Sequence, residues 1–154
     1  MKYTNIFAPV AGMVKDITNC SDVVFANKLV GDGVLLKPTH TIILSPCRGK
    51  ITHLFKTKHA FTIMDEHGTE ILIHLGIDTV ELDGKGFKQL IPSIDDSFEV
   101  GEPLIEMDLD YIRSQGKETD ILIIVSTSDK TYKLKKTTLD QSVNEGDIIF
   151  KYKY

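Results

Sequence analysis

Hydrophobic residues in this chain fall in short runs, not in long stripes. Blocks rich in Ile, Val, Leu, Phe and Thr are separated by Gly, Pro, Asn and Asp at intervals of about 8–12 residues, the spacing of an all-β sandwich or barrel. The clearest strands are predicted at 41–44, 61–64, 70–75, 121–126 and 148–152. Helical periodicity is almost absent. Leu109 and Ile112, with Asp108 as N-cap and Gly116 as stop, predict one short helix. No linker or low-complexity stretch interrupts the 154 residues, so a single domain spanning 1–154 is expected, long enough to bury its own core.

Two weak internal repeats accompany the strand pattern. Residues 8–14 recur at 45–51, and residues 97–105 recur at 142–150. Similar β-turns demanding similar residues would produce this. So would a β-structure with internal pseudo-symmetry, its matching strands crossing between two sheets. The repeats fit both. Residues 130–136 alternate four lysines with Tyr132 and Leu134, which predicts an exposed strand with one solvated face that blunts a sheet edge.

Composition narrows the class. A net charge of −4 argues against nucleic acid as the main partner, which usually requires a basic footprint. Two cysteines, Cys20 and Cys47, are too few for a disulfide framework or a metal knuckle and are read as reduced thiols. No run approaches the length of a membrane span, and the N-terminus lacks a cleavable apolar signal. A cytoplasmic protein is expected.

The candidate chemistry lies in two histidines. Predicted strands 61–64 and 70–75 flank the polar turn Asp65-Glu66-His67-Gly68. With a two- or four-residue loop, His59 falls directly opposite His74, Cβ atoms roughly 4.5–5.5 Å apart. Phe61 then pairs with Leu72 and Ile63 with Glu70 on the histidine face, and Thr62 with Ile71 on the other. A three-residue loop with a bulge at Gly68 would shift this register by one. Facing imidazoles have three readings: a satisfied, partly buried pair, half of a zinc site, or phosphoryl chemistry. In the last, one neutral ring attacks phosphorus while the other hydrogen-bonds the equatorial oxygens. Spacing does not choose among them. His40, His53 and His67 are expected on the surface.

The motifs around these histidines resemble the glucose-specific IIA family of the bacterial sugar phosphotransferase system. The similarity runs nearly end to end. It is carried by Val24-Phe25-Ala26, Val30-Gly31-Asp32-Gly33 and Lys37-Pro38. It is strongest in Thr57-Lys58-His59-Ala60-Phe61 and in His74-Leu75-Gly76-Ile77-Asp78-Thr79-Val80-Glu81-Leu82 with Gly84-Lys85-Gly86-Phe87. The resemblance implies an antiparallel β-sandwich with Greek-key or jelly-roll connections. It implies a phosphocarrier in which His74 accepts a phosphoryl group from the phosphocarrier protein HPr and passes it to a IIB cysteine of a sugar permease. His59 matches the second active-site histidine, which stabilises the phosphoryl group, and Thr57 a hydroxyl that hydrogen-bonds in the site. Asp22 and Asp78 match carboxylates beside the pocket. Val24, Phe25, Val30, Phe55, Leu72 and Val80 match an apolar docking ring, with Leu72 where the family often has Phe. No cofactor is required and no stable membrane insertion is implied; His59 and His74 supply two zinc ligands that a partner's carboxylate would complete. The competing class is a zinc endopeptidase of related duplicated β-fold, whose His-x-His motif this chain lacks.

Overall fold

The computed structural model describes residues 2–91, 96–128 and 130–154. Its strands in chain order are β1 (Thr4–Phe7), β2 (Gly12–Asp16), β3 (Gly31–Pro38), β4 (Ile42–Leu44), β5 (Gly49–Leu54), β6 (Ala60–Asp65) and β7 (Glu70–Ile77). There follow β8 (Phe87–Gln89), β9 (Ser97–Phe98), β10 (Pro103–Met107), β11 (Glu118–Ser126), β12 (Lys133–Lys135), β13 (Ser142–Val143) and β14 (Ile148–Lys153). All pairings are antiparallel. The five strands read from hydrophobic spacing are all present as β4, β6, β7, β11 and β14. Two short helices interrupt them: α1 (Val23–Ala26), which the hydrophobic pattern did not predict, and α2 (Leu109–Ser114), which it did. In α2 the Asp108 carboxylate caps the Tyr111 N–H at 3.0 Å, and the chain leaves at Gly116 with φ +75°.

An eight-stranded sheet, in the order β13-β2-β3-β11-β7-β6-β5-β9, forms one layer. Two three-stranded sheets, β1-β14-β12 and β4-β10-β8, cover one face of it. Strict alternation explains how. Ile71, Ile73 and Leu75 of β7, Ile121 and Ile123 of β11, and Val34 and Leu36 of β3 point into the core between the layers. There they meet Ile6, Phe150 and Tyr152 from one small sheet and Ile43, Ile105 and Met107 from the other. Each such buried side chain contributes about 1.5–3 kcal/mol. Tyr152 keeps its hydroxyl satisfied by donating to the buried Asp65 carboxylate.

The sequence repeats are structurally equivalent. The Phe7 N–H donates to the Pro46 carbonyl (2.9 Å) and the Leu44 N–H to the Pro9 carbonyl (2.8 Å), a reciprocal exchange between the first pair of repeats. Ala8 N–H bonds the Asp147 carbonyl as Ser45 N–H bonds that of Glu102. β13 pairs with β2 through Ser142 and Met13, as β9 pairs with β5 through Ser97 and Lys50. The large sheet is therefore pseudo-symmetric about its central pair, β11 and β7, and the two small sheets correspond to one another.

Two expectations are corrected. The β6–β7 loop is three residues long, so the register shifts by one and Ala60, not His59, stands opposite His74. The cause is Asp65: its carboxylate accepts the N–H groups of His67 (2.9 Å) and Thr69 (3.0 Å), and Gly68 supplies the left-handed residue at φ +79°. Phe61 consequently pairs with Ile73 and lies in the core, not on the histidine face; Thr62 opposes Leu72, and Ile63 opposes Ile71. The 130–136 segment does supply an edge strand, β12, but Lys136 leaves solvent. Its ammonium sits 2.6 Å from both Asp16 and Asp32.

Candidate functional site

The outer face of the large sheet, left uncovered by the small sheets, carries its own apolar cluster. Ile17, Cys20, Leu35, Ile77, Leu122 and Ile124 form it, with Phe25, Ala26 and Leu72 packed on top. His74 projects from β7 onto this face, in register with Leu122 on one side and Ala60 on the other. Cys20 and Cys47 are both buried and unpaired; burial pushes the Cys47 thiol up to about 12, so it stays protonated.

Three segments converge on His74. The β5–β6 connection runs from Phe55 to His59 and turns at Lys58, whose φ is +58°. This turn rescues the histidine pair that the shifted register would have separated. The His59 carbonyl accepts from the Leu75 N–H (2.6 Å), continuing the ladder, yet its side chain lies before the strand proper and swings toward His74. The two rings sit edge-to-face with centroids 5.1 Å apart. Phe55 packs against the His59 ring at 5.3 Å.

The second segment is the longer β2–β3 connection, which folds back over the outer face. Asp22 caps α1 by accepting the Val24 N–H at 2.9 Å, and the helical turn places the Phe25 ring 4.9 Å from that of His74. The third follows β7. Gly76 at φ +80° and Asp78 at φ +59° reverse the chain into a short 3-10 turn, Thr79–Leu82, that presents Val80. A Cβ at Gly76 would lie 2.4 Å from Thr79 Cγ2 and 2.8 Å from the Glu118 carbonyl, so only glycine fits.

This geometry fixes the tautomer of His74 and disfavours charge on both imidazoles. His74 Nδ1 lies 2.7 Å from the Gly76 carbonyl, which can only accept, so Nδ1 carries the proton and Nε2 carries the free lone pair. Burial lowers the pKa of His74, partly opposed by that hydrogen bond and by the carboxylates of Asp22 and Asp78. His59 is 5% exposed, and its Nδ1 is 2.5 Å from the Thr57 hydroxyl. Burial, reinforced by the neighbouring His74, pulls its pKa from 6.5 down to about 4. Both rings are neutral at neutral pH.

The residues singled out from the sequence come together with different exposures. Val24, Phe55 and Val80 are exposed apolar groups on the rim. Phe25, Val30 and Leu72 are half-buried, and Leu72 with Phe25 packs onto the second cluster as much as it faces outward. Val23 and Leu29, each 68% exposed, enlarge the apolar rim and were missed. The pairs Val23-Val24 and Leu29-Val30 contained the signal; what was missing was α1, whose turn exposes both members of the first pair. Among the described residues no group of three His, Cys, Asp or Glu side chains is placed to hold a metal ion, and no helix is long and apolar enough to cross a membrane.

Comparison with known proteins places the chain in a family. Residues 4–132 match the model of the phosphoenolpyruvate-dependent sugar phosphotransferase system, EIIA 1. The chain is 44% identical over 130 residues to a PTS system glucose-specific EIIA component of Staphylococcus epidermidis, covering 84% of this chain and 78% of that protein. It is 42% identical over 124 residues to the PTS system N-acetylglucosamine-specific EIICBA component of Escherichia coli, covering 80% of this chain and 19% of that larger protein. The solved structure of glucose permease IIA from Mycoplasma capricolum superposes with a TM-score of 0.85 at 30% identity, covering 98% of this chain and 96% of that one. The zinc endopeptidase alternative finds no support in these relationships. A neutral histidine with one free nitrogen, backed by a second and ringed by apolar residues, thus sits on a chain that belongs to the EIIA 1 family of phosphoryl carriers of the sugar phosphotransferase system.

Proposed function

We propose that His74 is the phosphoryl acceptor and that its Nε2 is the reacting atom. The supporting observation is the Nδ1 contact with the Gly76 carbonyl, which leaves Nε2 as the only nucleophilic nitrogen of that ring. In loading, the phosphorus–nitrogen bond of phospho-HPr breaks as the bond to Nε2 forms. In unloading, that bond breaks as a phosphorus–sulfur bond forms on the IIB cysteine of a sugar permease. HPr and the IIB domain are accordingly the proposed partners, and both meetings take place in the cytoplasm.

His59 is the stabiliser. This role requires the tautomer in which the Thr57 hydroxyl donates to Nδ1 and the proton resides on Nε2, where it hydrogen-bonds the equatorial oxygens as charge gathers there. Val24, Phe25, Val30, Phe55, Leu72 and Val80, extended by Val23 and Leu29, form the docking rim that excludes water from the labile bond. Asp22 and Asp78 meet basic groups on the partner. The transfer needs no cofactor; zinc would find only two imidazoles here until a partner supplied a carboxylate.

Incubation with phospho-HPr carrying labelled phosphate tests the assignment. One acid-labile, base-stable phosphate is expected, on His74 and absent from His74→Ala. Normal labelling of that variant overturns it. His59→Ala is expected to load but to pass phosphate slowly to the IIB domain, and unaltered transfer removes the role of His59.

A further inference from the structure

The sheet β1-β14-β12 buries one face against the core and turns the other outward, on the side of the molecule opposite His74. That outward face is built of lysines. Alternation along β14 sends Phe150 and Tyr152 inward and Lys151 and Lys153 outward. The register sets Lys133 opposite Lys153 and Lys135 opposite Lys151, two like-charged pairs of a kind that destabilises a ladder. Among the described residues none of these four has a carboxylate partner at ion-pair distance. Instead, the ammonium groups of Lys135 and Lys153 lie 4.5 and 4.7 Å from the centre of the Tyr3 ring.

Ordinary surface needs do not account for this arrangement. Lysine on an edge strand prevents edge-to-edge pairing, which explains β12. β14 is the middle strand, paired on both sides, so Lys151 and Lys153 protect no edge. Solubility is served by mixed, dispersed charge. Here a chain of net charge −4 concentrates one sign on one open sheet face.

We propose that this face docks on an anionic lipid surface. Lysine is a mobile, strongly hydrated point charge suited to a plane of diffuse negative charge; arginine forks would mark a discrete phosphate. The Tyr3 ring, already occupied by two ammonium groups, is not free to stack a nucleobase, which disfavours single-stranded nucleic acid. Docking on this side leaves the histidine face open to protein partners. The inference is independent of which histidine carries phosphate.

Co-sedimentation of the full chain with vesicles tests it. Binding is expected to vesicles of phosphatidylcholine mixed with phosphatidylglycerol, weakening as salt is raised, and not to phosphatidylcholine alone. The double variant K151Q/K153Q is expected to bind about thirtyfold more weakly, at the usual contribution of a lysine near such a surface. K133Q/K135Q on the edge strand provides the same test should the first variant fold poorly. Phosphate transfer from HPr in solution is expected to be unchanged in both. Four results overturn the proposal: no binding of the parent chain to anionic vesicles at low salt, equal binding by both folded variants, equal binding to neutral vesicles, or preferential binding of single-stranded RNA.

Discussion

Burying two neutral imidazoles side by side makes the folded protein sensitive to acid, and His59→Gln isolates the share of His59. The His59 ring has its pKa pulled from 6.5 to about 4 by burial and by the adjacent His74. In the unfolded chain it titrates at its ordinary value. Between those two values the unfolded ring holds a proton that the folded ring refuses, so acid favours unfolding. Stability present above 6.5 is therefore lost as pH falls toward 4. The gap corresponds to about 3 kcal/mol when titration is complete, and to about 2 kcal/mol near pH ~4.5. Glutamine removes the titration and retains polar atoms for the Thr57 hydroxyl. Urea unfolding of the parent and the variant, at neutral pH and at about pH 4.5, reads the difference directly. The parent is expected to lose about 2 kcal/mol more than the variant on acidification; carboxylates distant from the site are common to both and largely cancel. Parallel losses would mean that the folded ring takes up protons freely, and the burial argument would be wrong.

Three further perturbations address the surrounding structure. Thr57→Val leaves His59 Nδ1 without its hydrogen bond; transfer from phosphorylated protein to the IIB domain is expected to slow about tenfold, with recovery in Thr57→Ser, read by rapid quench. Gly76→Ala forces a Cβ into Thr79 and the Glu118 carbonyl at positive φ; a stability loss above about 2 kcal/mol is expected in denaturant unfolding, and a change within error would show that the turn relaxes. Leu29→Glu places charge on the apolar rim at a residue 68% exposed. It is expected to raise the KM for phospho-HPr about tenfold with an unchanged melting temperature, and an unchanged KM would exclude Leu29 from the docking face.

Much of the scaffold could be read from residues alone because its determinants are local. Alternation defined β6, β7, β11 and β14, and Asp108 with Gly116 bracketed α2. The repeats at 8–14 and 45–51 were visible because equivalent turns make equivalent backbone bonds, and the structure repeats those bonds one for one. Register was harder. It depended on a choice between loop lengths at Asp65–Gly68, decided by one carboxylate capping two N–H groups, and alternation cannot distinguish them. The histidines meet all the same, since the turn at Lys58 frees His59 from the strand's own alternation. Similarly, α1 is only four residues long, too short for periodicity to register, so the apolar pair Val23-Val24 could not be assigned to an exposed turn. Lys136 was read as solvated because its partners, Asp16 and Asp32, lie more than a hundred positions away.

The pseudo-symmetry of the large sheet has a consequence for how this site can diverge. The β2–β3 and β5–β6 connections are counterparts in the two halves, yet one supplies Asp22, Val24, Phe25 and Val30 while the other supplies Phe55, Thr57 and His59. On the proposed assignment, the reacting groups lie on β7 and in the shorter copy, and recognition falls chiefly to the longer one. Such a division of labour lets the recognition loop be lengthened, shortened or recoloured for a new partner while the reacting groups stay anchored to β7 and to the five-residue turn beside it. A duplicated frame thereby becomes a carrier whose customers can change without the cargo-handling parts being rebuilt.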